Sequence, residues 1–304
     1  MRRILGISLC AVLLAPSARA AFQYPQTGAR SAAMAGASLP SEPDAASILQ
    51  NAAGAAGLSR AEVYMSYDKL YAGQEGVDSI GRSFLAGAVP TRWGSLGVAV
   101  TDFRASGLMT ERVVGVSLSR RLTERLSAGA VAKYLHHSFD SGADTSGAGD
   151  PVFAGGTGRG APSFDLGASY KATERLTVGL AARDVNSPDV GLVDEDRVPR
   201  EYQAGLAWAR KDWGLVATAD VAYRQVPSGT DRTRMTPSLG LEKSLGDERV
   251  KFRGGVSLDQ VTAGVGMQFD RFGFDYSFVM ARALAGANMG SHQIGIRYRF
   301  GGNQ

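Results

Sequence analysis

Cysteine is almost missing from this chain. Of 304 residues only Cys10 is a cysteine, and it lies inside an apolar N-terminal run. Residues 21–304 therefore contain no thiol, which excludes disulfides, thiolate catalysis and cysteine metal ligands from them. Histidine is scarce: His136, His137 and His292 have no H-E-x-x-H spacing and no cysteine beside them, so no metal site is expected. Long hydrophobic runs are absent. Ile4 to Leu14 is short of the roughly 20 residues of a helical span, and no later run is longer. Such a chain can cross a membrane only as a closed barrel. Charge of one sign is lacking as well. The formal +4 includes Arg2, Arg3 and Arg19; without them the balance is +1, and no nucleic-acid partner is implied.

The same three arginines help to define an export signal. A positive start, the apolar run and Ala18-Arg19-Ala20 as a small-x-small site predict a cleaved signal peptide over residues 1–20. No cysteine stands at the cut, so lipidation is not expected.

From Ala61 onward the dominant period is 2. Phe272, Phe274, Tyr276, Phe278 and Met280 alternate with Gly273, Asp275 and Ser277; Val261, Ala263, Val265, Met267 and Phe269 alternate with small or polar residues. Fourteen strands are predicted: 61–72, 81–90, 93–103, 110–121, 125–137, 162–172, 175–185, 200–210, 212–224, 234–245, 249–258, 260–270, 272–282 and 291–300. Their length, close to ten residues, is that of a tilted membrane strand. Every second connection is short and most of the others are longer, notably 138–161 and 186–199, the pattern of periplasmic turns and external loops. Asp259-Gln260 is short on the long side. Trp93, Trp208 and Trp213 fall beside the short turns, where an indole rests at the lipid headgroups.

The fold expected is all-β: a transmembrane antiparallel β-barrel of about fourteen strands with a small N-terminal plug, residues 21–60 forming the plug and 61–304 the barrel. A soluble periplasmic β protein has similar alternation, but has less reason to place charges on an inner face. The inward members are Lys133, Asp165, Lys171, Arg183, Asp220, Arg224, Glu242, Lys251, Arg253, Asp270, Asp275, Arg297 and Arg299. Their mixed signs argue against a strongly charge-selective pore. They either grip a plug or line a path.

The proposed plug is the stretch GARSAAMAGASLPSEPDAASILQNAAGAAGL, Gly28 to Leu58. Its small residues permit close backbone packing, and Arg30, Glu42, Asp44 and Asn51 could bond to a polar wall. A flexible linker has a similar composition. The stretch resembles the N-terminal segment of the FadL-like and PorV-like outer-membrane barrels, which reads loosely G-x-R, then M-G-G-A, an acid among small residues, then N-P-A-G-L. Gly28, Arg30, Met34, Gly36, Ala37, Asp44, Asn51, Ala53 and Gly54 fall in step with it. Ala35 stands where the family has Gly and Ala52 where it has Pro, which removes a fixed φ.

The resemblance implies two functions. A FadL-like protein would admit small hydrophobic compounds passively, with Gly28, Arg30, Met34, Gly36, Asp44, Asn51 and Gly54 in the plug and ligand path. A PorV-like protein would hold secreted proteins at the surface. Outer-membrane lipid and the barrel-assembly machinery are expected partners of either; no cofactor and no catalytic residue is expected. Ser291 beside His292 does not make a hydrolase pair, since strand neighbours face opposite sides. Gly155, Gly156, Gly158 and Gly160 have no strand-to-helix context and read as loop. Asp140, Asp144 and Asp150 could hold calcium, but lack EF-hand spacing.

Overall fold

The structure is a computed structural model that describes residues 22, 27–40, 43–73, 80–105, 107–140, 151–225, 234–284 and 289–301. The expected signal peptide, Glu42, Asp144 and Asp150 lie outside them. Fourteen strands follow one another: β1 (Glu62–Lys69), β2 (Ile80–Thr91), β3 (Gly94–Ala105), β4 (Met109–Arg121), β5 (Leu126–Phe139), β6 (Gly158–Lys171), β7 (Leu176–Arg183), β8 (Arg200–Arg210), β9 (Leu215–Gln225), β10 (Arg234–Leu245), β11 (Val250–Ser257), β12 (Gln260–Gln268), β13 (Phe272–Ala281) and β14 (Ser291–Arg299). Each pairs antiparallel with its neighbours, and β1 pairs with β14, closing the barrel.

Alternation fixes which side of each strand meets lipid, because a slip of one residue would turn every side chain to the other face. In β1, Glu62, Tyr64, Ser66 and Asp68 are buried while Met65 and Tyr67 are exposed. In β4, Val114, Val116 and Leu118 point out; in β10, Leu239 and Leu241 do. With no water in the bilayer core, closure satisfies every strand edge. Trp93 and Trp213 stand exposed at the short-turn end, each with a guanidinium over its ring, Arg92 at 4.5 Å and Arg210 at 3.6 Å.

Several strand ends differ from the sequence expectation; β1, expected to residue 72, stops at Lys69. β5 and β6 run on to Phe139 and back from Gly158, because they pair with each other up to Ser138 and Gly158. Gly158 and Gly160 are thus strand residues. β7 stops at Arg183, where Asp184 takes a φ of 52° and turns the chain inward. β9 starts late, because Lys211–Trp213 form a 3-10 turn closed by Gly214 at φ 55°. Lys171 and Asp270, expected in the lumen, are exposed at the periplasmic rim.

Inside, the described residues of 27–60 are mostly irregular and mostly buried, with one short helix, α1 (Ala29–Ala33), and a 3-10 turn at Ala45–Ser47. Ile48, Leu49 and Ala52 pack with Tyr64, Phe84, Ala86, Ala88, Ala99 and Val131 of the wall. The N-terminal segment is a plug.

Candidate functional site

The plug comes so close to the wall because the wall lacks side chains where they meet. Gly97, Gly115, Gly129, Gly167, Gly179, Gly205, Gly240, Gly255 and Gly264 place one inward glycine on every strand from β3 to β12 except β9. A methyl group at Gly129 would lie 2.0 Å from the Ala52 carbonyl oxygen, one at Gly167 2.1 Å from Asn51 Oδ1, and one at Gly255 2.3 Å from the Met34 carbonyl carbon. On β9 contact is polar instead: Thr218 Oγ1 donates to the Ala37 carbonyl at 2.5 Å.

Close approach leaves plug amides and carbonyls to be satisfied by wall side chains. Ser119 donates to Ala52 O at 2.6 Å and Thr262 to Ala33 O at 2.8 Å, and the Ala29 amide donates to Tyr64 Oη at 2.8 Å. The Leu39 amide donates to Asp220 at 2.9 Å, and Arg183 donates to Gln50 O at 2.8 Å. Asn51 donates to Leu39 O and Ala168 O and accepts from the Ala53 amide.

Three ion networks lock this contact. Glu242 on β10 is bonded by Arg30 of the plug at 2.9 Å and by Arg253 of β11 at 2.7 Å, and Arg253 reaches Asp275 of β13 at 2.6 Å. Asp44 of the plug caps the Ala46 amide and pairs with Arg297 of β14; Arg297 and Arg299 both bind Glu62 of β1, at 3.3 and 2.9 Å, and Glu62 accepts from the Ala45 amide. Glu201 of β8 is shared by Arg183 and Arg224, while Gln203 links Arg183 to Asp220. Breaking a buried pair of this kind by removing one partner costs about 3–5 kcal/mol. A polar lumen bonded in this way offers an apolar solute nothing in exchange for displacing it.

Toward the end with the longer connections, external by the loop rule, the chemistry changes. Phe22 is buried with Val113, Leu135, Ala161, Val190 and Val198, and its amide donates to Glu111 at 3.0 Å. The His137 ring lies 5.9 Å from that of Phe22 and 5.0 Å from that of Phe139. Beside it is a cavity of about 310 Å³ whose apolar lining is Phe139, Val152, Phe153, Leu192 and Val193. The connection 184–199 holds its shape through its own backbone: Val190 N donates to Asp196 O, and Val198 N to Pro188 O. Asp189 accepts from the amides of Gly191 and Asp196, both at 2.9 Å, and these donors hold its carboxyl below the usual range.

The wall has a seam in the same sector. β6 pairs with β5 along its whole length but with β7 only over Leu166–Lys171. Beyond that the inward-turning chain patches the edge. Val185 N donates to Phe164 O at 3.0 Å, Phe164 N donates to the Asn186 side chain at 3.2 Å, and Asn186 Nδ2 donates to Pro162 O at 2.9 Å. Behind it, Lys133 is held between Asp165 and Asp184 at 2.8 and 2.9 Å.

The residues singled out from sequence thus fall into two groups. Gly28, Arg30, Met34, Gly36, Asp44, Asn51 and Gly54 are all in the plug. Gly28 has a φ of 96° ahead of α1, Gly36 one of 83°, and a methyl at Gly54 would meet Ser47 Oγ at 2.1 Å. Asp165, Arg183, Asp220, Arg224, Arg253, Asp275, Arg297 and Arg299 are on the wall, buried or half-buried. Glu62, Tyr64, Glu201 and Gln203 were missed, although the alternation of β1 and β8 places them inward with their neighbours. Among the described residues no histidine, cysteine, aspartate and glutamate cluster could hold a metal. Ser291 accepts from the Tyr71 amide, and His292 meets Tyr276 Oη, so the two adjacent side chains serve separate contacts.

A closed barrel of fourteen strands, filled by its own N-terminal segment, defines a plugged membrane barrel. Among solved structures it is similar to the CymD monoaromatic hydrocarbon channel (TM-score 0.65, 14% identity, 90% of this chain and 97% of that one). It is similar also to a FadL homologue of Pseudomonas aeruginosa (0.62, 15%, 93% and 100%) and to the toluene transporter TodX of Pseudomonas putida (0.60, 15%, 92% and 99%). At such identity the fold is what is shared: the chain has the barrel fold of these proteins. No protein-family model and no curated protein matches the sequence. The comparisons lend no support to the PorV-like reading.

Proposed function

We propose that this protein sits in the bacterial outer membrane, after export through its signal peptide and insertion by the barrel-assembly machinery, and admits small hydrophobic compounds passively, without an enzymatic step. The observation that carries this reading is the apolar cavity at the external end, set above a lumen that is packed and ion-paired. An apolar molecule captured there has no favourable way straight down. The seam between β6 and β7 lies in the same sector and is held by Val185 and Asn186 rather than by a full ladder. Sideways escape into the bilayer exchanges one apolar environment for another, and the plug keeps the lumen closed to water throughout. The similar channels and transporter act on hydrocarbons by their names, which agrees with this substrate class.

Two experiments test it. Cells that make the protein should take up a radiolabelled alkylbenzene faster than cells that do not; equal rates would sink the proposal. Because residues 21–304 have no cysteine, the variant Phe164→Cys/Val185→Cys offers a unique disulfide across the seam. Oxidised, it should lose the added uptake, and reductant should restore it.

A further inference from the structure

The polar side chains around the external cavity are one histidine and three acids, with no cation among them. Besides its apolar lining the cavity is bordered by His137, Asp194, Glu195 and Asp196. His137 Nε2 lies 2.7 Å from the Val190 carbonyl oxygen, which can only accept, so Nε2 carries the proton of the neutral ring and Nδ1 is left as an acceptor. His137 is 3% exposed, and Nδ1 is buried with no hydrogen-bond partner. An acceptor that no group of the chain fills is satisfied, once the ring turns toward the cavity, by a ligand that brings an N–H or O–H.

Charge points the same way. Neither Arg159 of β6 nor Arg197 lines the cavity, and Arg197 is engaged by Glu195 at 2.5 Å. Against these two cations stand Asp189, Asp194, Glu195 and Asp196; the remaining acid of the 184–199 connection, Asp184, is held by Lys133. By sequence, the connection 140–157 that leads to Val152 and Phe153 has three aspartates and no lysine or arginine. A carboxylate brought to this mouth meets like charge and finds no cation in the lining to pair with.

We propose, resting on the uptake reading above, that the external cavity selects apolar molecules bearing a hydrogen-bond donor, amines first and alcohols or phenols next, and rejects apolar carboxylates such as fatty acids. The Phe and Val side chains hold the hydrocarbon body, the acidic border attracts an ammonium, and the His137 lone pair takes a hydroxyl or amine proton. Discrimination of this kind needs no movement of the plug.

Three compounds with one body and different heads test the proposal: 2-phenylethylamine, 2-phenylethanol and phenylacetate. Each is titrated calorimetrically into the whole protein in nanodiscs of zwitterionic lipid, with empty nanodiscs as the blank. The amine should bind tightest, and phenylacetate at least about tenfold more weakly than the amine at low salt. That gap should narrow between about 20 mM and about 500 mM NaCl. The exposed-loop variant Asp194→Asn/Glu195→Gln/Asp196→Asn should remove most of the amine's advantage over the alcohol. His137→Phe, which keeps an aromatic ring in place, should weaken the alcohol about fivefold. Phenylacetate binding as tightly as the amine, or an amine advantage unmoved by salt and by the triple variant, would overturn the selectivity and leave uptake standing. If none of the three binds above the blank, capture at this cavity is wrong and the selectivity falls with it.

Discussion

The middle of the barrel and its external end solve opposite problems with the same chain. In the middle, wall glycines let the plug backbone approach until a single added methyl would collide, and Glu62 and Glu201 each bind two cations and Glu242 three. At the external end, phenylalanines and valines stand apart around a cavity bordered by Asp194, Glu195 and Asp196. One region uses its polar groups to hold itself closed; the other sets acids at the border of a space that a solute can enter. Substitutions in the first should therefore show in stability, and substitutions in the second in binding.

Glu242→Gln should have the largest effect. It leaves Arg30 and Arg253 without their shared carboxylate and should cost about 3–5 kcal/mol in urea unfolding from bilayers. A loss under about 1 kcal/mol would mean that the networks do not carry the plug. Gly129→Ala comes next. Its methyl would lie 2.0 Å from Ala52 O, and the strain should cost about 1–3 kcal/mol or unseat the plug, which single-channel conductance would report. Ala35→Gly should act in the opposite direction. Ala35 holds a φ of 53°, the left-handed region, and relief of that strain, less the entropy of a glycine, should stabilise by about 0.5–1 kcal/mol. At the external end Val193→Ser should change stability by less than about 0.5 kcal/mol yet weaken capture of 2-phenylethanol severalfold. A large stability loss there would erase the contrast.

Acidification sharpens the comparison with the smallest effect. The folded Asp189 carboxyl sits below its unfolded value, so its contribution to loop order is complete above about pH 4 and is lost as pH falls through the folded value. Hydrogen exchange at the Val190 and Val198 amides should be unchanged between about pH 5 and pH 8, after correction for the intrinsic rate. Protection should fall below about pH 4, without matching loss at the wall strands.

The barrel was legible because its signal is local and repeated. Residues 261–269 and 272–278 alternate without a fault. Ends were read less well where tertiary contacts decide them. Gly158 to Ala161 reads as loop by composition, yet pairs with Leu135 to Ser138 of β5. Asp184 reads as strand, yet turns inward to meet Lys133. The plug was read through its resemblance, and its membership of small residues could be seen; its partners could not. Glu242 is 212 residues from Arg30, and no local pattern joins them. The wall glycines were visible as tiny inward residues, but that they form a belt facing one segment emerges only when the strands stand side by side. The cavity was the least legible part. Phe139, Val152 and Phe153 are the large apolar residues of the stretch 138–161, and the partners that complete the lining, Leu192 and Val193, come from another connection.

The ion network around Asp44 has a consequence for how the molecule is put together. A barrel has one joint that must be made last, and here it is β1 against β14. Glu62 is on β1 and Arg297 and Arg299 are on β14, and the plug offers the Ala45 amide to Glu62 and Asp44 to Arg297. The N-terminal segment thus supplies the keystone of the joint: the first strand brings it along, the last strand finds it waiting, and an open intermediate has neither a sealed wall nor a settled interior.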